Sequence, residues 1–226
     1  MNMPFYVAPE QVMKDRADYA RKGIARGRAL IATTFADGIL IVAENASNSL
    51  RKVSEIYDRI AFAGVGKYNE FDQLRIAGVR HADLKGYSFS RDDVDARSLA
   101  NQYAQSLGQV FTHEMKPMEV EILVAEIGHD DEHPDQMFHI LYDGTVNDEN
   151  DFAVLGGDAE VIHERFEESW KPNLSLRDGV RAATGALAGP DRALEADDLE
   201  VAELALHNGR RTFRRIEVDV LESLLS

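Results

Sequence analysis

The sequence predicts an α+β fold, a four-layer α-β-β-α sandwich in which two antiparallel sheets stack face to face with helix pairs outside. Three observations predict it. Strand-like stretches come as hairpins, stretches with helical spacing come in pairs between them, and the first two strands are apolar along nearly their whole length. Hairpins segregated from helix pairs speak against alternating βαβ units, and continuous apolarity marks strands covered on both faces. With 226 residues, 44% of them hydrophobic, the chain suffices for one large domain with a substantial core.

Residues 1–8 carry no capping signal and no period and read as a mobile arm ahead of a single domain over 9–226. Pro9-Glu10 opens a helix over about 9–26, because proline is tolerated in a first turn and an early acid suits the helix dipole. Val12, Tyr19, Ala20 and Ile24 give that helix a short apolar stripe. Residues 29–35 and 39–43 flank Asp37-Gly38 as a hairpin. A second hairpin, from 52–57 and 59–63, follows a loop over 45–50. Phe71, Leu74, Ile76 and Val79 mark one helix; Val94, Leu99, Tyr103, Leu107, Val110 and Phe111 mark a longer one. Strands follow at 120–127, 137–142 and 152–155. Asp158 is placed as the cap of a helix bearing Ile162, Phe166 and Trp170. Leu176, Val180, Ala183 and Leu187 form the next helix, closed by Gly189-Pro190. Residues 199–206 and 212–216 flank Asn208-Gly209 as the last hairpin, and Val218, Leu221 and Leu224 mark a final helix.

Composition narrows the function. A formal charge of -15 repels phosphate backbones and anionic lipid, so neither nucleic acid nor membrane is expected as a partner. No apolar run approaches the roughly 20 residues that cross a bilayer, and residues 1–14 lack the basic-then-apolar pattern of a secretory signal. The absence of cysteine removes disulfides, thiolate metal ligands and a cysteine nucleophile, and fits a cytoplasmic protein.

Several strings in order resemble the proteasome α-subunit family, in its bacterial, actinobacterial-type branch of the 20S core particle. They are the segment from Tyr19 to Gly27 (YARKGIARG), Phe35 to Leu40 (FADGIL), Arg51 to Asp58 (RKVSEIYD), Tyr142-Asp143-Gly144 and Leu155-Gly156-Gly157. The resemblance runs from about Pro9 to Leu225 and implies the fold of the N-terminal nucleophile hydrolases with an extra N-terminal helix. It further implies a heptameric ring of α subunits stacked on catalytic β subunits. Unfolded protein substrates would pass through, and a ring-shaped ATPase activator would dock by its C-terminal tail. Lys52 stands where the family places a lysine that pairs with the activator's terminal carboxylate. Met3, Pro4, Phe5, Tyr6, Val7 and Ala8 would form the gate arm, with Pro9 and Tyr19 where the family's gate proline and tyrosine stand. The Tyr-Asp-Arg element that opens this arm in archaeal and eukaryotic relatives is missing, so their detailed gate geometry is not carried over.

Catalysis in this fold needs a Thr, Ser or Cys as the first residue of the first strand, with its own α-amine helping to move the proton. Counted back from the Asp37-Gly38 turn as in the catalytic relatives that the resemblance implies, that position falls at about Arg28. Arginine is a permanent cation and no nucleophile, and an arm and helix precede it. No catalytic residue is therefore expected in this chain. Thr33 and Thr34, the nearest hydroxyls, read as strand-packing residues, and Glu44, in the approximate place of the catalytic acid, reads as a structural remnant. A self-processing hydrolase of the same fold is the alternative, and a stand-alone binding module a third reading.

Other constellations carry less. Gly64-Val65-Gly66-Lys67 lacks the upstream glycine and the Ser or Thr of a phosphate-binding loop, having Ala61 and Tyr68 instead. His129, Asp130, Asp131, Glu132, His133 and Asp135 are explained by a polar hairpin connection beside Pro134, and neither metal nor cofactor is expected. Arg210, Arg211, Arg214 and Arg215 divide between two faces of a strand and read as structural or interface salt links.

Overall fold

The computed structural model describes residues 8–47, 49–130 and 133–226. Met3, Pro4, Phe5, Tyr6 and Val7 of the expected gate arm lie outside the described residues, as do Asp131 and Glu132. Helix α1 (Pro9–Ala25) leads into β1 (Leu30–Phe35), β2 (Gly38–Glu44), β3 (Val53–Tyr57) and β4 (Ile60–Gly66). Helices α2 (Tyr68–Ser88) and α3 (Ala96–His113) come next, then β5 (Val120–Glu126), β6 (Gln136–Ile140), β7 (Val146–Glu149) and β8 (Phe152–Leu155). The chain continues through α4 (Ala159–Ser169), α5 (Leu176–Ala188), β9 (Leu199–Ala205), β10 (Phe213–Ile216) and α6 (Val218–Leu225).

The strands form two five-stranded antiparallel sheets, ordered β10-β9-β2-β1-β8 and β3-β4-β5-β6-β7. Three apolar clusters hold the layers. Between the sheets pack Leu30, Ile39, Ile41, Val65, Leu123 and Leu204, with Ala20 and Ile24 of α1 covering one end. Ile31, Leu40, Val42, Phe166, Val180 and Leu187 join the first sheet to α4 and α5, with Leu221 of α6. Phe62, Phe71, Leu99, Tyr103, Leu107 and Ile122 join the second sheet to α2 and α3. Every residue of β2 is buried, as its unbroken apolarity requires.

Several places differ from the sequence expectation, Trp170 among them, since it follows the last residue of α4 in extended conformation. Strand β7 has no apolar run because it is an edge strand with its middle residues exposed. Asp158 occupies the N-cap position of α4, but its side chain makes no capping bond. Val94 packs in the core ahead of α3 rather than on it. Arg210 and Arg211 precede β10, so strand alternation does not govern their faces.

One buried ionisable group gives a stability test. His139 of β6 lies with Nε2 3.4 Å from Glu121 and Nδ1 3.7 Å from Glu149, a cluster of charges rather than aligned hydrogen bonds. Burial pushes its pKa down, but the two carboxylates outweigh burial and hold it at about 9. A histidine pKa raised on folding contributes stability that is full below pH ~6.5 and is lost as pH rises through the folded value. Urea unfolding should show stability declining between pH 6.5 and 9 by on the order of 3 kcal/mol, and His139→Gln should flatten that slope.

Candidate functional site

Lys52 ends the loop after β2 and stands immediately before β3. Its main-chain N–H donates to Glu200 at 2.8 Å, and its carbonyl accepts from Gly64 N–H at 3.0 Å, so both main-chain groups are fixed. The side chain is half-buried and its Nζ donates to the Arg28 carbonyl at 2.5 Å. That contact joins the start of the first sheet to the start of the second. The ends of α1 and β4 also meet here, since a Cβ on Gly27 would lie 3.3 Å from Gly66 N. Gly66 has φ +96°, and a Cβ there would meet the Glu119 carbonyl at 2.0 Å, so only glycine fits.

Burial lowers the Lys52 pKa to about 8; Glu44 and Glu200 support the charge, and Arg28 opposes it. The ammonium has three donors, one of them used by the Arg28 carbonyl. The others suit an arriving anion, and partial desolvation strengthens such a pair.

Arg28 lies two residues before β1 and sends its guanidinium to Glu44 at 2.7 Å. Glu44 is buried and also accepts from Arg192 Nη1 at 2.8 Å and Nη2 at 3.2 Å. The Glu44 carboxylate is thus held by two guanidinium groups. Thr33 is fully buried, with its hydroxyl directed to main-chain carbonyls of Thr34 and Asp151 and accepting from Trp170 Nε1 at 3.0 Å. Thr34 donates to the Asp151 carbonyl at 3.2 Å.

Ala8 is the N-cap of α1, its carbonyl accepting from Gln11 and Val12 N–H, and Pro9 is the first helical residue. Tyr19 lies ten residues further along the same helix, roughly 15 Å away at 1.5 Å per residue. Within one chain Pro9 and Tyr19 are therefore not brought together. Tyr19 is 48% exposed, with the Lys116 ammonium 5.6 Å from its ring centroid. Val12, Met13 and Met115 are exposed nearby in fold or sequence to these residues, and Leu84, Tyr87 and Phe89 are exposed around the end of α2.

The remaining constellations have local accounts. His129 and His133 stack at 4.5 Å around Asp130, but Arg59 lies 2.5 Å from His129 Nδ1 and Asp130 2.7 Å from His133 Nδ1. A guanidinium so close opposes a cation at that point. Arg210 faces Asp58, Arg211 faces Glu55, Arg214 faces Glu203 and Arg215 faces Glu200, which makes the arginine run a set of salt links within the chain. Glu200, Asn45 and Arg192 were not singled out from sequence. The signal available was a pair of acids, Glu200 and Glu203, inside an apolar strand whose antiparallel neighbour carries Arg214 and Arg215.

Residues 24–203 match the family described as "Proteasome subunit". The chain is 65% identical over 225 residues to "Proteasome subunit alpha" of Acidimicrobium ferrooxidans, covering all of this chain and 97% of that protein. It is 56% identical over 231 residues to the protein of the same name from Sanguibacter keddieii, covering all of this chain and 90% of the relative. The Kineococcus radiotolerans protein of that name is 55% identical over 236 residues, covering all of this chain and 99% of its own length.

Proposed function

Because the chain belongs to the proteasome subunit family, we propose that it is a non-catalytic α-type ring subunit of the core particle, working in the cytoplasm. In this reading copies of the chain form a heptameric ring on the catalytic β subunits. The ring scaffolds the β rings, admits unfolded proteins through a gate made by the arm, and docks a ring-shaped ATPase.

The observation that carries the reading is Arg28. A guanidinium paired with Glu44 stands at the head of β1, where the chemistry of this fold needs a hydroxyl or thiol beside a free amine. The nearby threonine hydroxyls are committed to carbonyls and to Trp170. Lys52 supplies a half-buried ammonium beside two carboxylates, suited to the terminal carboxylate of an activator tail. The uncovered Tyr19, and the exposed Leu84, Tyr87 and Phe89, suit a subunit that buries further surface on assembly.

The gate is tested by deleting residues 1–8 and co-expressing the shortened chain with its catalytic β partner. Unfolded-protein turnover without the ATPase is expected to rise several-fold, and unchanged turnover would remove the gate from the proposal. The full-length α ring alone is expected to cleave no fluorogenic peptide.

A further inference from the structure

Glu200 is the most heavily committed carboxylate near Lys52. It lies on β9 of the first sheet, is 3% exposed, and shares the inter-sheet face with Ala202 and Leu204. Its Oε2 accepts from the Lys52 N–H at 2.8 Å and from Asn45 Nδ2 at 2.7 Å. Its Oε1 accepts from the Val53 N–H at 3.3 Å and from Arg215 Nη1. Asn45 Nδ2 also reaches the Leu50 carbonyl at 2.8 Å, and Arg215 Nη2 reaches the Val53 carbonyl at 2.8 Å.

These contacts share one target. Apart from Arg215, each donor to Glu200 belongs to the segment 45–53, which ends in Lys52 and the first residue of β3. Burying a carboxylate costs several kcal/mol unless its oxygens are fully paired, and main-chain N–H donors at a loop end fix that loop closely. The same network limits where the Lys52 Cα sits, and so where its ammonium arrives. Around that ammonium stand Glu44 of β2, Glu200 of β9, and Arg28 ahead of β1 with both its carbonyl and its charge.

Resting on the docking role of Lys52 proposed above, we infer that Glu200, with Asn45 as its link to the loop, is the positioning residue that aims the Lys52 ammonium at an incoming carboxylate. Glu200 does not touch the ligand; it acts through Lys52.

The test uses the full chain assembled with its catalytic partner. The probe is a fluorescent peptide of the last eight residues of the cognate ATPase, prepared as free acid and as C-terminal amide. Glu200→Gln keeps the shape and one of the two acceptor oxygens but removes the charge and sets an NH2 group against two of the donors, while Asn45→Ala loosens the loop and leaves both members of the buried ion pair in place. Each is expected to weaken free-acid binding about three- to tenfold and to leave the weaker amide binding unchanged. Neither should weaken binding further in combination with Lys52→Ala, because the effect passes through that side chain. Glu200→Gln should also move the pH at which binding is lost downward, since a charge that supports the ammonium is gone; a purely structural role would not do this.

Equal losses with and without Lys52→Ala would overturn the inference, as would Asn45→Ala and Glu200→Gln both binding like the parent. Should Glu200→Gln fail to fold, Asn45→Ala in the same cycle decides. If Lys52→Ala alone leaves free-acid binding intact, the docking reading fails, and the inference falls with it; if Lys52→Ala weakens binding and the other two do not, only the inference fails.

Discussion

Lys52→Ala is expected to abolish most ATPase-driven degradation while leaving the peptidase activity of the β subunits untouched. A hydrogen bond between charged groups contributes about 1.5–3 kcal/mol, which is roughly a 10- to 150-fold loss of affinity per site. In the proposed ring, docking would engage several copies at once, so the loss would compound across sites. The pH dependence gives an independent check. Burial sets the free Lys52 pKa near 8, and only the ammonium attracts a carboxylate. Affinity for a free-acid tail peptide should be level below about pH 7.5 and then fall, approaching tenfold per pH unit, as pH passes through that value. Lys52→Arg should remove this dependence, because guanidinium does not titrate in the range, and should bind less well because the planar group does not reproduce a compact ammonium. Fluorescence anisotropy of the peptide between pH 6.5 and 9.5 checks both. A flat profile for the parent protein would exclude Lys52 as the anchor.

The contribution of Lys52 to stability responds to pH in the opposite sense, and above pH 8 it runs against that of His139. A lysine pKa lowered on folding means that the folded state binds fewer protons than the unfolded state between about pH 8 and the ordinary value, so stability rises with pH in that window. Charged Lys52 is therefore a cost to the subunit, and Lys52→Ala should lose docking without losing fold.

Phe62→Ala is expected to produce the largest loss of stability. Phe62 is fully buried on β4, packed against α2 and α3, with its ring 5.8 Å from that of Tyr103. Emptying such a site costs about 3–5 kcal/mol, from lost transfer energy and from the cavity left behind. In a domain of this size each kcal/mol lowers Tm by roughly 2–4 °C, so a fall of about 10 °C is expected. Urea denaturation of the isolated chain measures it, and a loss under about 1 kcal/mol would contradict the packing of the helix pair on the second sheet. Because β4 carries Gly64, whose N–H holds the Lys52 carbonyl, the damage should extend to docking.

Much of this molecule is legible along the chain. Continuous apolarity in residues 29–35 and 39–43 marked strands covered on both faces, and β2 is buried throughout. Asp37-Gly38 marked the first hairpin turn, and Gly38 has a positive φ of 145° with the Leu204 carbonyl 2.1 Å from where a Cβ would stand. Strand β7 was not legible, because an exposed edge strand of Val146, Asn147, Asp148 and Glu149 has nothing apolar to announce it. Lys52 was pointed to only by the resemblance of the segment from Arg51 to Asp58, and its surroundings were not legible at all.

Local pattern by itself determined the order of helices and hairpins and the four layers, because periodicity and turn chemistry act over a few residues. Only the tertiary structure decided which charges meet. Glu200 and Arg28 are respectively 148 and 24 residues from Lys52 in sequence, yet they hold its main chain and its ammonium. Electrostatic energy and desolvation depend on distance and burial in space, and stacking of the two sheets sets both.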